Sequence, residues 1–232
     1  MSAGDITRPA SKEEDVEVLD RADLDPDDLG PDDDVDPDGS EAAPVPRTSG
    51  IALAVWAAIG LAAAFTLAVE RVKLLEDPNH RLSCDLSPLL SCGSVMVTEQ
   101  ARAFGFPNPF LGIGAFSVVL TLGVLLASQV RLPRWVLDGL AVGGTLGLAF
   151  VAWLISQSLY SIGALCPWCL VVWSVTIPIF VWTTLLAARA HRPSSAAVEL
   201  LWDLRFLIVL GAYVLVIVLA LVQFWSYWET LL

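Results

Sequence analysis

Four cysteines are the residues of this 232-residue chain whose type and spacing could do chemistry: Cys84 and Cys92, eight apart, and Cys166 and Cys169, which enclose Pro167 and Trp168. Sulfurs three residues apart on a helix share one face, where they can close to a disulfide or open to two thiols. Pro167 suits a first helical turn, and the partial positive charge at a helix N-terminus favours the thiolate, the nucleophile of disulfide exchange. Cys84 and Cys92 bracket a seven-residue loop from Asp85 to Ser91, whose closure by a disulfide is worth about 2 to 3 kcal/mol. Four cysteines allow three pairings. A two-pair redox relay, a four-thiolate zinc site and a structural staple all use the same atoms, but the eight-residue step is not the usual spacing of zinc ligands.

The elements that must position these sulfurs are membrane helices. Hydrophobic residues make up 56% of the chain and charged residues only 16%, against roughly 25% charged in an ordinary soluble domain. Five runs reach the roughly 20 apolar residues that a spanning helix needs: Ser49 to Val69, Asn108 to Val130, Trp135 to Ile155, Ile162 to Ala188 and Leu204 to Trp225. The fold class expected is an all-α integral membrane protein, since closed barrels would show short alternating strands instead. Gly139, Gly143 and Gly147 recur every fourth residue in the third run, a ridge expected to let another helix approach closely. Residues 1–50 hold 16 acidic and 4 basic residues, and residues 51–232 hold 9 of each. Residues 1–48 therefore read as a disordered acidic cytoplasmic tail. Asp34 to Gly39 begins like a calcium-binding loop, but Val45 stands where its bidentate Glu is needed. Clustered Lys and Arg are missing from both segments, which excludes nucleic acid as a partner. The first apolar run begins too late for a cleaved signal peptide and is expected to stay as an anchor.

Lys and Arg near the helix ends set the orientation. With the N-terminus inside, Arg47, Arg131, Arg134, Arg189, Arg192 and Arg205 are cytoplasmic, against Arg71, Lys73, Arg81 and Arg102 outside. The 70–107 loop and all four cysteines then face the extracytoplasmic side of the cell (inner) membrane, where thiols are not kept reduced. One pair on a mobile loop and one at a helix tip suit a relay between a soluble protein and an acceptor in the bilayer. No Gly-rich dinucleotide fingerprint follows a predicted strand, so the acceptor expected is lipid-soluble, and a quinone fits. Trp153, Trp168, Trp173 and Phe110 are candidates to wall its pocket. Asn108 is either a polar contact there or a helix cap before Pro109.

Cys84-Asp85 with Ser91-Cys92-Gly93-Ser94, then Phe104-Gly105-Phe106-Pro107-Asn108-Pro109-Phe110, then Cys166-Pro167-Trp168-Cys169 resemble the vitamin K epoxide reductase family, specifically its bacterial members, over about residues 50–190. The resemblance implies a four-helix bundle around a quinone, a fifth transmembrane helix, and an extracytoplasmic cap loop with a short helix, all within 49–232. It implies catalytic roles for all four cysteines: Cys84 exchanges with the soluble partner, Cys92 shuttles to Cys166, and Cys169 lies beside the quinone ring. Asn108 sits where the family bonds a quinone carbonyl, and Thr98 where a Ser or Thr links loop and site. Trp173 replaces the tyrosine that contacts the quinone in vertebrate members. Some bacterial members carry a fused thioredoxin-like domain, whereas this chain ends at Leu232, so a separate secreted DsbA-like thioredoxin-fold partner is expected.

The activity implied is that of a thiol oxidase and quinone reductase supporting disulfide bond formation. The residues do not distinguish menaquinone from ubiquinone. Two alternatives stand beside this reading: a vitamin K quinone or epoxide reductase running on dithiols, and a non-enzymatic, disulfide-stapled membrane scaffold.

Overall fold

In a computed structural model, residues 45–77, 82–87 and 89–225 are described, so nearly all of the acidic tail, including Asp34 to Gly39, lies outside the described residues. The elements, in chain order, are α1 (Arg47–Glu76), α2 (Cys92–Met96), a 3₁₀ turn (Glu99–Arg102), α3 (Asn108–Ala127), α4 (Arg134–Ser156) continued by a π-helical turn (Gln157–Ile162), α5 (Pro167–His191), α6 (Ala196–Asp203) and α7 (Arg205–Gln223). The five long helices, taking α4 with its π-helical turn, are each long and apolar enough to cross a membrane, and the chain is an all-α, multi-pass membrane protein.

Two boundaries differ from expectation for identifiable reasons. The fourth crossing starts at Pro167 rather than Ile162, because Gly163 takes a left-handed φ of 70° and ends the π-helical turn, a conformation that costs glycine little. The first crossing runs on to Glu76, where a buried Glu70 accepts from Lys73 at 3.3 Å and from the Ser83 hydroxyl at 3.4 Å. The surplus turns of α1 thus hold the start of the cysteine loop.

α1 packs along α3 and α5, and α4 packs along α5. Small residues make the first of these contacts close. A Cβ at Gly123 would lie 2.7 Å from Ala54 N, and one at Gly60 would strike the Phe116 ring at 2.5 Å. Gly123→Val should therefore destabilise the bundle by about 1 to 3 kcal/mol, read as a lower thermal midpoint in detergent; an unchanged midpoint would contradict the close α1–α3 contact. At the other end of the bundle from the cysteines, Arg189 pairs with both Glu199 oxygens at 2.8 Å and lies 4.3 Å above the Trp202 ring. This fastens α6, which periodicity did not announce. No residue of α7 is buried.

The seam between α3 and α4 stays open, since these two helices make only marginal contact. This corrects the reading of the glycine ridge. A Cβ at Gly139 or Gly143 would meet nothing within 4 Å, and both residues line a cavity. Close helix approach falls instead to Gly144, where a Cβ would lie 2.6 Å from Thr183 Oγ1 of α5.

Candidate active site

Backbone pairing brings the two cysteine segments together. Leu90 and Leu165 form an isolated parallel bridge, in which Ser91 N donates to Leu165 O at 3.0 Å and Leu165 N donates to Leu89 O at 2.8 Å. Cys92 lies two residues after Leu90 and Cys166 one after Leu165, and this register leaves Cys92 Sγ 3.0 Å from Cys166 Sγ. Cys84 and Cys92 are joined as a disulfide with Cα atoms 5.7 Å apart, while Cys166 and Cys169 are free thiols.

Short polar side chains fix Cys92. Ser91 caps α2, its hydroxyl accepting from Ser94 N at 3.1 Å. Asp85, next to Cys84, accepts from the Ser91 hydroxyl and from Gly93 N, both at 2.9 Å, through one carboxylate oxygen. Gly93 leaves room for this approach, because a Cβ there would lie 3.0 Å from the other Asp85 oxygen. The carboxylate therefore ties the Cys84 side of the loop to the Cys92 side independently of the disulfide.

Leu67, Leu82 and Met96 pack around the sulfurs, leaving Cys84 4%, Cys92 0% and Cys166 1% exposed. Cys166 precedes the first turn of α5 and lies outside the span. Its thiol is held below the ordinary cysteine range, first by the neighbouring Cys169 thiol and then by the backbone N–H groups of Cys169 and Trp168, against burial and the Asp85 charge. A lowered value populates the thiolate, the attacking species, at lower pH.

Cys166 and Cys169 open onto a cavity of about 550 Å³ between α3 and α4, also walled by α1, α2 and α5. Its wall is almost wholly apolar, and Asn108, Gln100, Gln157 and Ser158 bring polar atoms to the cysteine end. The size lies in the roughly 300 to 1,000 Å³ range of small-molecule sites, which likewise combine apolar walls with a few polar groups. A quinone ring and the start of an isoprenoid chain fit this composition.

The structure places the candidate residues unevenly. Trp173 is buried and walls the cavity. Asn108 also lines it, but its side chain reaches backward: the amide nitrogen donates to Gln100 O at 2.7 Å and its oxygen accepts from Ala103 N at 3.1 Å. It thus caps the 3₁₀ turn rather than α3, and one of its two amide N–H groups is outside these bonds. Phe110 is a correction. The cavity row on α3 runs through Asn108, Gly112, Ala115 and Val119, and a residue two positions off such a row lies on the far side of the helix. Phe110 is accordingly 47% exposed and off the wall. Trp153 stacks on Phe150 at 5.8 Å instead of lining the cavity, and Trp168 packs with the sulfurs. Thr98 is likewise off the wall, its hydroxyl donating to Val95 O at 2.8 Å between α2 and the 3₁₀ turn. Gln100, Gln157 and Ser158 were not anticipated, although Gln157-Ser158 does interrupt the apolar run at its end.

The profile describing the Vitamin K epoxide reductase family matches residues 51–184. That interval is more than half of the chain and carries all four cysteines, the cap segment, the cavity and most of α5. On this match, and on its all-helical membrane fold, the chain belongs to the Vitamin K epoxide reductase family and is a membrane oxidoreductase.

Proposed function

We propose that the protein is a quinone-dependent thiol oxidase, which draws electrons from a secreted DsbA-like thioredoxin-fold protein through Cys84/Cys92 to Cys166/Cys169 and so supports disulfide bond formation. The observation that carries this is the 3.0 Å contact between Cys92 and Cys166, made at the cysteine end of the cavity. The Lys and Arg bias at the helix ends supports an extracytoplasmic position for this end.

The exchange steps follow from the sulfur positions. A partner dithiol opens Cys84–Cys92, leaving two thiols on the loop and a disulfide on the partner. Cys92 thiolate then attacks Cys166 of a Cys166–Cys169 disulfide, the Cys92–Cys166 bond forms, and Cys169 leaves as thiolate facing the cavity. Attack by Cys84 on Cys92 restores the loop disulfide and releases Cys166. The product is a loop disulfide with two free thiols at Cys166 and Cys169, the redox state of this structure. A bound quinone supplies the two-electron, two-proton acceptor. Trp173 would bound its ring and the spare N–H of Asn108 would face a carbonyl. Because Cys84 is shielded while neighbouring Leu86 is 69% exposed, the partner is expected to dock on the loop tip and displace it before exchange.

A free-thiol count tests the reading. Fully reduced protein should lose all four thiols per chain within seconds of adding excess dimethyl-naphthoquinone or short-chain ubiquinone, as Cys166–Cys169 closes, passes its disulfide to Cys84–Cys92 and closes again. An unchanged count with both quinones would leave a stapled scaffold as the better account.

A further inference from the structure

Where α4 passes into its π-helical turn, two adjacent polar residues, Gln157 and Ser158, stand on the wall of an otherwise apolar cavity. Ser158 is 4% exposed, and its hydroxyl has no hydrogen-bond partner among the described residues. Its oxygen is not one of the fully buried atoms left without a partner, so it is open to the cavity that the residue lines. The segment is nonetheless held in place, since Gly163 N donates to Ser158 O at 3.0 Å. Gln157 accepts from Gln100 Nε2 at 3.4 Å, and the Gln100 carbonyl in turn takes the Asn108 amide. Asn108, Gln100 and Gln157 therefore form one polar string joining α3, the 3₁₀ turn and α4, with Ser158 beside it.

We infer that Ser158, assisted by Gln157, is a second hydrogen-bonding contact for the quinone head group, an inference that rests on the quinone reading above. Asn108 offers one donor from α3, and the Ser158 hydroxyl offers another from α4. Two donors on separate helices suit an acceptor with two separated carbonyl oxygens on one flat ring, and they leave a hydrocarbon of the same shape unrewarded. Ser158 and Gln157 thus set which ring is accepted, whereas the apolar wall sets only its size.

The test uses full-length, fully oxidised protein in detergent, so that no turnover occurs. The probes are 2,3-dimethyl-1,4-naphthoquinone, whose ring carbons are blocked against thiol addition, and the carbonyl-free 2,3-dimethylnaphthalene. Affinity is read from the dependence of the thermal unfolding midpoint on ligand concentration. Ser158→Ala should weaken the naphthoquinone about tenfold, the value of one neutral hydrogen bond, and leave the hydrocarbon within about twofold. Gln157→Leu should act in the same direction, and Ser158→Thr, which keeps the hydroxyl, should restore wild-type affinity. Unchanged naphthoquinone affinity in Ser158→Ala, or equal weakening of both probes, would overturn the inference. A wild-type protein that does not prefer the quinone over the hydrocarbon would instead overturn the quinone reading itself.

Discussion

Cys169→Ala will bring quinone-coupled thiol oxidation down to background, a loss of about a thousandfold or more by analogy with removal of other essential nucleophiles. The expectation follows from position. Cys169 lies on the cavity wall, while Cys166 is engaged at 3.0 Å with Cys92. Without Cys169, electrons reaching Cys166 have no second sulfur with which to close a disulfide beside the acceptor. The loop chemistry survives: Cys166 can still attack Cys92, breaking the Cys84–Cys92 bond and releasing Cys84 as thiolate. The variant should therefore hold a measurable fraction of Cys92–Cys166 disulfide, which Cys84 or an external thiol reopens. Wild-type turnover in Cys169→Ala would remove Cys169 from the role assigned to it.

Cys92→Ala separates the relay from its terminus. Turnover driven by a thioredoxin-fold dithiol should fall about a hundredfold or more, since Cys84 is then a lone thiol and offers the partner no disulfide to open. Turnover driven by a small phosphine that reduces Cys166–Cys169 directly should stay within about threefold of wild type. Cys166 is only 1% exposed, and the loop sulfur in contact with it is part of what covers it, so the truncation opens access. The loop staple is worth about 2 to 3 kcal/mol, and the comparison should be made well below the thermal midpoint. Equal loss with both reductants would contradict the shuttle role of Cys92.

The crossings were legible because length and apolarity alone define a spanning helix, and the four sulfurs were legible because nothing else in the chain offers comparable chemistry. The walls of the site were not. In a membrane helix the lipid-facing side is as apolar as the packed side, so periodicity says little about which face meets a cavity. Phe110 was therefore assigned to the wall but turns away from it. The glycine ridge is ambiguous for a related reason, since a small residue admits either a neighbouring helix or empty space, and Gly139 and Gly143 take the second course. The sequence allows Asn108 either of two uses, and the structure gives it a third, as a brace on the preceding turn. Gln157 and Ser158 carried a usable signal, being polar residues at the end of a crossing next to the CxxC segment, but their convergence with Gln100 depends on long-range packing.

Asp85 shows how local chemistry serves a distant contact. Its two hydrogen bonds span the Cys84–Cys92 loop, and the Leu90–Leu165 bridge then docks that loop against the start of α5. Neither device is made by the disulfide itself, so in the proposed relay both would hold the reduced loop, with Cys92 as its nucleophile, against the start of α5.

The most direct measurement is mass mapping of disulfides after rapid acid quench and alkylation of protein poised between reductant and quinone. The account predicts a Cys92–Cys166 linked peptide, enriched in Cys169→Ala and lost in Cys92→Ala. Its absence under every poise, with only Cys84–Cys92 and Cys166–Cys169 recovered, would contradict electron passage between the two pairs.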